Sequence, residues 1–262
     1  MPDLITVCEQ AARAGGAVLQ DWVGRFSARL KGPRDFVSEA DLASQETIAQ
    51  IIAQNFPDHL FVGEEEMAEK SRPIRTPGKY HWIADPLDGT ANYVRGIPHY
   101  AVSIGVERDG VLLAGVIYDP VLEECFTATA GGGAFLNERS IQVSGVTNLD
   151  EALLAASFPP RVTPQLPAVK EFVAFIEQCQ GVRRGGSAAL NLAYIATGRY
   201  DGYWAADLHP WDAAAGVLVV QEAGGAVSSL SGGPFDPWDP KLIAASSGKL
   251  LQAMQNVIHQ NS

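Results

Sequence analysis

Asp85-Pro86-Leu87-Asp88-Gly89-Thr90 follows directly on the apolar run Trp82-Ile83-Ala84. That run reads as a buried strand, and Pro86 marks its end because proline has no amide to give a ladder. The bend lets Asp85 and Asp88 face one pocket. The carbonyl of Leu87 offers a third hard oxygen between them, and oxygen-only ligation suits Mg²⁺ far better than zinc. Gly89 and Thr90 open a helix, where backbone amides would face an anion such as phosphate. Taken alone, two aspartates three residues apart read equally well as a solvated turn.

Two further acidic elements bear on that choice. Gly63-Glu64-Glu65-Glu66 follows the apolar stretch Leu60-Phe61-Val62, and Pro210-Trp211-Asp212-Ala213-Ala214-Ala215-Gly216 opens a strongly helical segment. Separately, the Glu run is a solvated charge cluster and Asp212 a first-turn acid placed well against a helix dipole. In this order, each at the end of an apolar run, they resemble the inositol monophosphatase family of Mg²⁺-dependent phosphatases. Its Gly-Glu-Glu, Asp-Pro-(Ile/Leu)-Asp-Gly-Thr and Trp-Asp-x-Ala-Ala-Gly patterns are all present. Arg184-Gly185-Gly186-Ser187-Ala188-Ala189-Leu190-Asn191-Leu192 resembles its small-residue substrate segment, and Lys31 to Asp41 resembles its N-terminal loop.

The resemblance implies an α+β fold, a layered α-β-α-β-α sandwich. Residues 1–148 would form an N-terminal half with an antiparallel sheet and most metal ligands. Residues 149–262 would form a C-terminal α/β half with the substrate pocket and Asp212. It further implies that Glu64, Asp85 and the Leu87 carbonyl hold one Mg²⁺, and that Asp85, Asp88 and Asp212 hold a second. A weaker third ion would sit near Glu64. Four carboxylates balance two divalent charges, and two such ions can clamp both the attacking and the leaving oxygen of an in-line displacement. Thr90 would position the attacking water with Asp41, and Glu64 would take part in its activation. Lys31 would steer the phosphate from a mobile loop, although a surface lysine needs no such role. Gly89, Thr90, Gly186, Ser187, Ala188 and Asp212 would line the substrate site, with Glu65 supporting the ligands from behind. A homodimer, lithium sensitivity and a small phosphorylated metabolite as substrate are implied in the same way.

Composition agrees. A chain of 262 residues suits one large domain or two fused halves. A net charge of −11 argues against a nucleic-acid partner, since phosphate backbones demand basic patches. Acids neutralised by bound cations do not repel a phosphate substrate. Cys8, Cys125 and Cys179 are odd in number and lack metal-type spacing, so they read as buried small hydrophobes. No apolar run approaches a membrane span, and the N-terminus lacks a signal-peptide pattern, so a cytoplasmic location is expected.

Helices are predicted over 4–23 and 39–54. Ala101 to Val106 and Val111 to Ile117 flank Asp109-Gly110, a strong hairpin signal. Strands follow over 123–128 and 134–143. Beyond residue 148 the texture alternates. Strands near 152–156, 201–204 and 242–245 are interleaved with helices near 165–179, 187–197, 211–223 and 248–259. Ser228 to Pro240, rich in Gly, Ser and Pro, reads as a loop.

Substrate choice is less legible. Relatives that act on inositol phosphates carry a Glu before the Trp-Asp motif, and the matching residue here is Ala205. Losing that acceptor costs polyol recognition about 1–3 kcal/mol, unless Asp207 or His209 replaces it. Inositol 1-phosphate or a related polyol phosphate leads. Histidinol phosphate, fructose 1,6-bisphosphate and a 3′-phosphoadenosine nucleotide remain, with Arg183-Arg184 the nearest basic pair for a second phosphate. A regulatory binding protein built on the same fold is the reading of another class.

Overall fold

The computed structural model describes residues 3–32, 35–67, 75–159 and 161–261, with 28–32, 35–37 and 66–67 described by backbone alone. Helix α1 (Leu4–Trp22) leads through a hairpin of β1 (Ala28–Gly32) and β2 (Asp35–Ser38) into α2 (Glu39–Asn55). Then come β3 (Leu60–Gly63), the single turn α3 (Glu64–Met67), β4 (Tyr80–Asp88) and α4 (Thr90–Val94). Strands β5 (Ala101–Arg108), β6 (Val111–Asp119), β7 (Glu124–Thr129), β8 (Gly133–Leu136) and β9 (Arg139–Ser140) complete a seven-stranded sheet in chain order. It is antiparallel except for the parallel pair β3 and β4. Asp109 and Gly110 both take positive φ at the β5–β6 turn, as an Asp-Gly hairpin requires.

The second part alternates. It runs β10 (Leu153–Ser157), α5 (Pro167–Ile176), β11 (Gly181–Arg183), α6 (Ala188–Ala196), β12 (Gly202–Ala205), α7 (Pro210–Glu222), β13 (Ala226–Ser229), β14 (Leu242–Ala245) and α8 (Gly248–Asn261). Its five strands are ordered β11-β10-β12-β14-β13, with β10 parallel to both neighbours and β14 antiparallel to both of its own. Strand β13 takes Ser228 and Ser229 out of the expected loop. The three-residue β11 and the β1–β2 hairpin also went unread, being too short to show a period.

Period-two alternation builds the layers. In β4, Trp82 and Ala84 face a core shared with Val7, Cys8 and Ala11 of α1 and Ile48 of α2, while Ile83 faces α6 and α7. In β12, Tyr203 and Ala205 face α6 and α7, whereas Trp204 meets Phe175 of α5 and Met254 of α8. Helices α6 and α7 therefore lie between the two sheets and are buried nearly all round, which is why their sequences are apolar on every face. Each fully buried Leu, Ile or Phe contributes about 1.5–3 kcal/mol, so the scaffold stands on its cores and not on its acidic residues. Helix α7 comes unusually close to the large sheet. A Cβ on Gly105 would lie 2.8 Å from Ala214 Cβ, and one on Gly115 2.9 Å from the Ala215 carbonyl.

Among the described residues, no helix is long and apolar enough to cross a membrane. Cys8 and Cys125 are buried free thiols, as the sequence suggested, whereas Cys179 is half-buried.

Candidate metal and phosphate site

Strand β4 does not stop at Pro86. Its ladder with β5 resumes at Asp88, so that Pro86 and Leu87, between Asp85 and Asp88, oppose the single Val102 between Ser103 and Ala101. One extra residue in one strand is a β-bulge, which re-aims side chains beside it. Pro86 is tolerated there because a bulge leaves its position unpaired. The bulge, and not a strand end, puts Asp85 and Asp88 on one side. Ser44 of α2 braces it from behind by donating to the Pro86 carbonyl at 3.0 Å.

Asp212 arrives from the first turn of α7, where its Oδ2 accepts the His209 amide at 2.7 Å. Carboxylate oxygens of Asp85, Asp88 and Asp212 all lie within 4.8 Å of one another. Asp85 and Asp88 are buried, and Asp212 is half-buried. Burial, the nearby Glu64 charge and the charges of Asp88 and Asp212 push the Asp85 carboxyl well above the usual carboxylate range. Asp212 is pushed up by burial and by Asp88, although the His209 amide opposes the shift. Burial raises Asp88 to about 6 against the pull of its hydrogen bonds. Those bonds come from the Ser187 hydroxyl and from the Ala188 and Ala189 amides at 3.2 and 2.7 Å.

Three carboxylates this close, two of them buried, concentrate negative charge that a bound cation would balance. The donors are all hard oxygens, so the set fits a divalent cation of the Mg²⁺ class. Glu64 opens α3, half-buried, and its charge acts on all three aspartates. The Leu87 carbonyl accepts the Thr90 hydroxyl at 3.0 Å. That hydroxyl also lies 3.3 Å from Asp41 Oδ1, and Asp41 Oδ2 takes the Ser38 amide and hydroxyl.

The remaining expected residues are placed as follows. Gly89 adopts φ +95° before α4, a helix of five residues, so the anticipated helix start is a single turn with little dipole behind it. Ser187 and Ala188 are committed to Asp88, and Gly186 lies beside Asn92. The Glu65 amide donates to Gln45 Oε1 at 2.9 Å. Lys31 belongs to β1, and its side chain lies outside the described residues. Ala205 is wholly buried in β12, and Asp207 adds negative charge near Asp212. Ser44, Gln45, Asn92 and Ala189 were not singled out from sequence. Only the spacing of Asp41, Ser44 and Gln45, at i, i+3 and i+4 on one helix face, offered a signal.

The family model of the inositol monophosphatase family matches residues 2–261. The chain is 37% identical over 266 residues to the inositol-1-monophosphatase of Rhizobium meliloti, covering 98% of this chain and 96% of that protein. It is 40% identical over 268 residues to Nus factor SuhB of Pseudomonas aeruginosa, again covering 98% and 96%. Among solved structures, extragenic suppressor protein suhB of Bartonella henselae aligns with a TM-score of 0.90 at 37% identity over 99% of both chains. The inositol monophosphatase of Anabaena aligns at 0.86 and 36% identity, over 98% of this chain and 96% of that one. The chain belongs to the inositol monophosphatase family. Its fold is the layered sandwich of that family, and the likeness supports a metal-dependent phosphatase acting on a small phosphorylated substrate.

Proposed function

We propose that this chain hydrolyses a small phosphate monoester in a Mg²⁺-dependent reaction, with inositol 1-phosphate or a related polyol phosphate as substrate. The observation that carries the reading is the convergence of three carboxylates within 4.8 Å beside the Thr90–Asp41 pair. Glu64, Asp85 and the Leu87 carbonyl would hold one ion, and Asp85, Asp88 and Asp212 another. Bound there, such ions supply electrophilic polarisation of the phosphate and lower the pKa of a water.

The chain's own groups do the positioning. Thr90 Oγ1 can donate one proton, to Asp41 or to the Leu87 carbonyl. Its lone pairs then accept a hydrogen bond from the attacking water and fix its direction. Asp41 receives the proton that the water loses, through the Thr90 hydroxyl. General-base help of this kind is worth about 10²–10⁴-fold. Gly89, Gly186 and Lys31 are assigned to the phosphate side of the pocket, and the site joins acids of residues 1–148 to Asp212 of the second half.

Phosphate release with and without Mg²⁺ tests this. The panel would hold inositol 1-phosphate, histidinol phosphate, fructose 1,6-bisphosphate, 3′-phosphoadenosine 5′-phosphate and glycerol 2-phosphate. A Mg²⁺-dependent preference for a polyol phosphate is expected. Preference for a bisphosphate or histidinol phosphate would move the substrate and keep the mechanism. Near-equal identity to relatives named Nus factor SuhB supports a second reading, a regulatory binding role. No release from any compound, with capture of RNA polymerase components, would favour it.

A further inference from the structure

One side chain joins the segment that carries the acids to the loop that leads into α6. Asn92 Nδ2 donates to the His99 carbonyl at 2.7 Å and to the Gly185 carbonyl at 2.8 Å. A side-chain amide has two protons to give, so both are spent on holding these strands of chain together. Asn92 stands four residues after Asp88, and Gly185 stands two before Ser187.

The fit around this amide is close. Gly186 has φ +91°, and a Cβ there would lie 3.0 Å from Asn92 Nδ2. One on Gly185 would lie 2.6 Å from His99 Nε2. The loop backbone therefore rests directly on the 89–99 segment, with no room for a side chain between them.

What the loop delivers is the donor set on Asp88. Asp88 Oδ2 takes the Ser187 hydroxyl and the Ala189 amide, and Oδ1 takes the Ala188 amide. These donors aim both carboxylate oxygens, and their aim depends on where the loop is tied. We infer that Asn92 is a positioning residue, which ties the Gly185–Ser187 loop so that its donors orient Asp88 toward the cation site. The inference rests on the Mg²⁺-dependent reading proposed above. A staple that served stability alone would leave cation binding untouched.

The test compares the whole chain with Asn92→Ala, with Gly186→Ala, which crowds the same contact from the other side, and with Asn55→Ala. Asn55 donates to the Ile51 carbonyl at 2.9 Å, far from the acids, and serves as the control for losing one such amide. Mg²⁺ affinity would be read by calorimetry, and amide hydrogen exchange at Ala188 and Ala189 in the metal-free protein. Groups that orient metal ligands typically cost 10–100-fold in affinity when removed. Asn92→Ala and Gly186→Ala should each weaken Mg²⁺ by about tenfold and speed exchange at 188 and 189, while Asn55→Ala changes neither. Wild-type Mg²⁺ affinity and exchange in Asn92→Ala would overturn the inference. So would failure of both variants to fold, because Asn92 would then be a structural support. A wild-type chain that binds no Mg²⁺ would sink the functional reading instead. The exchange measurement then decides on the tie alone, unchanged protection at 188 and 189 overturning it.

Discussion

The hydroxyl of Thr90 lies 3.3 Å from Asp41 Oδ1, across 49 residues of chain. Neither group is a ligand in the arrangement proposed here, and both are held from behind. Asp41 is wholly buried and accepts two hydrogen bonds from Ser38. In the reaction proposed above the pair would handle the proton, beside the acids and not among them.

Asp41→Asn should therefore lower kcat by about 10²–10⁴-fold with little change in Mg²⁺ affinity. Steady-state kinetics alongside a Mg²⁺ titration checks it. A large loss of Mg²⁺ affinity with kcat retained would show Asp41 to be a ligand instead.

Asp85→Asn removes a charge and little volume, and its Oδ1 can still accept the Leu87 amide bonded at 2.9 Å. Turnover should disappear, yet the metal-free protein should melt higher, because one of the crowded charges is gone. Each kcal/mol relieved is worth about 2–4 °C in a chain of this size. An unchanged or lower melting point would mean that the acids do not repel one another.

The same crowding sets a pH dependence. Asp88 is raised to about 6, and Asp85 and Asp212 are raised as well. Between about pH 4 and 6 the folded state holds protons that the unfolded chain has lost. Stability of the metal-free protein must then fall as pH rises through that window, by about 3 kcal/mol at most from Asp88 alone. Mg²⁺ at a hundred times its dissociation constant restores about 2.7 kcal/mol. Melting curves from pH 4 to 8, with and without Mg²⁺, would expose a flat profile if the reading is wrong.

Ser187→Ala removes one of three donors to Asp88 and leaves two amides in place. A hydrogen bond to a buried charge is worth about 1.5–3 kcal/mol. Mg²⁺ affinity should weaken by about 10–100-fold while the fold persists. Retained affinity would show that the amides alone orient Asp88.

Lithium should inhibit at millimolar concentration if the Asp85–Asp88–Asp212 ion behaves as the family resemblance implies. Phosphate release measured against LiCl, with NaCl as the ionic-strength control, decides the point; equal insensitivity to both salts would argue for an altered site.

The parts legible in sequence are those with a local signature. The apolar run before Asp85, the Asp109-Gly110 turn and the apolar stretch after Asp212 each announced an element of the sandwich. The acids at 64, 85, 88 and 212 stood out together, through their order and the surrounding motifs that resemble one family. What stayed hidden is held by single side chains reaching distant backbone, such as Ser44 to the Pro86 carbonyl and Asn92 to the Gly185 carbonyl. Such contacts have no period and no motif. Pro86 misled for a related reason: a proline in a bulge and a proline at a strand end look alike until the partner strand is known.

The packing of α7 against Gly105 and Gly115 has a genetic consequence. Neither glycine is near Asp85, Asp88 or Asp212 in sequence, yet each sets how deeply the helix bearing Asp212 can sit. A random mutagenesis screen for inactive alleles should recover Gly105 and Gly115 replaced by Val or Asp. Suppressors of Gly105 alleles should arise at Ala214, where trimming the methyl gives the helix back its depth, whereas a Cβ at Gly115 meets the Ala215 backbone, which no substitution trims.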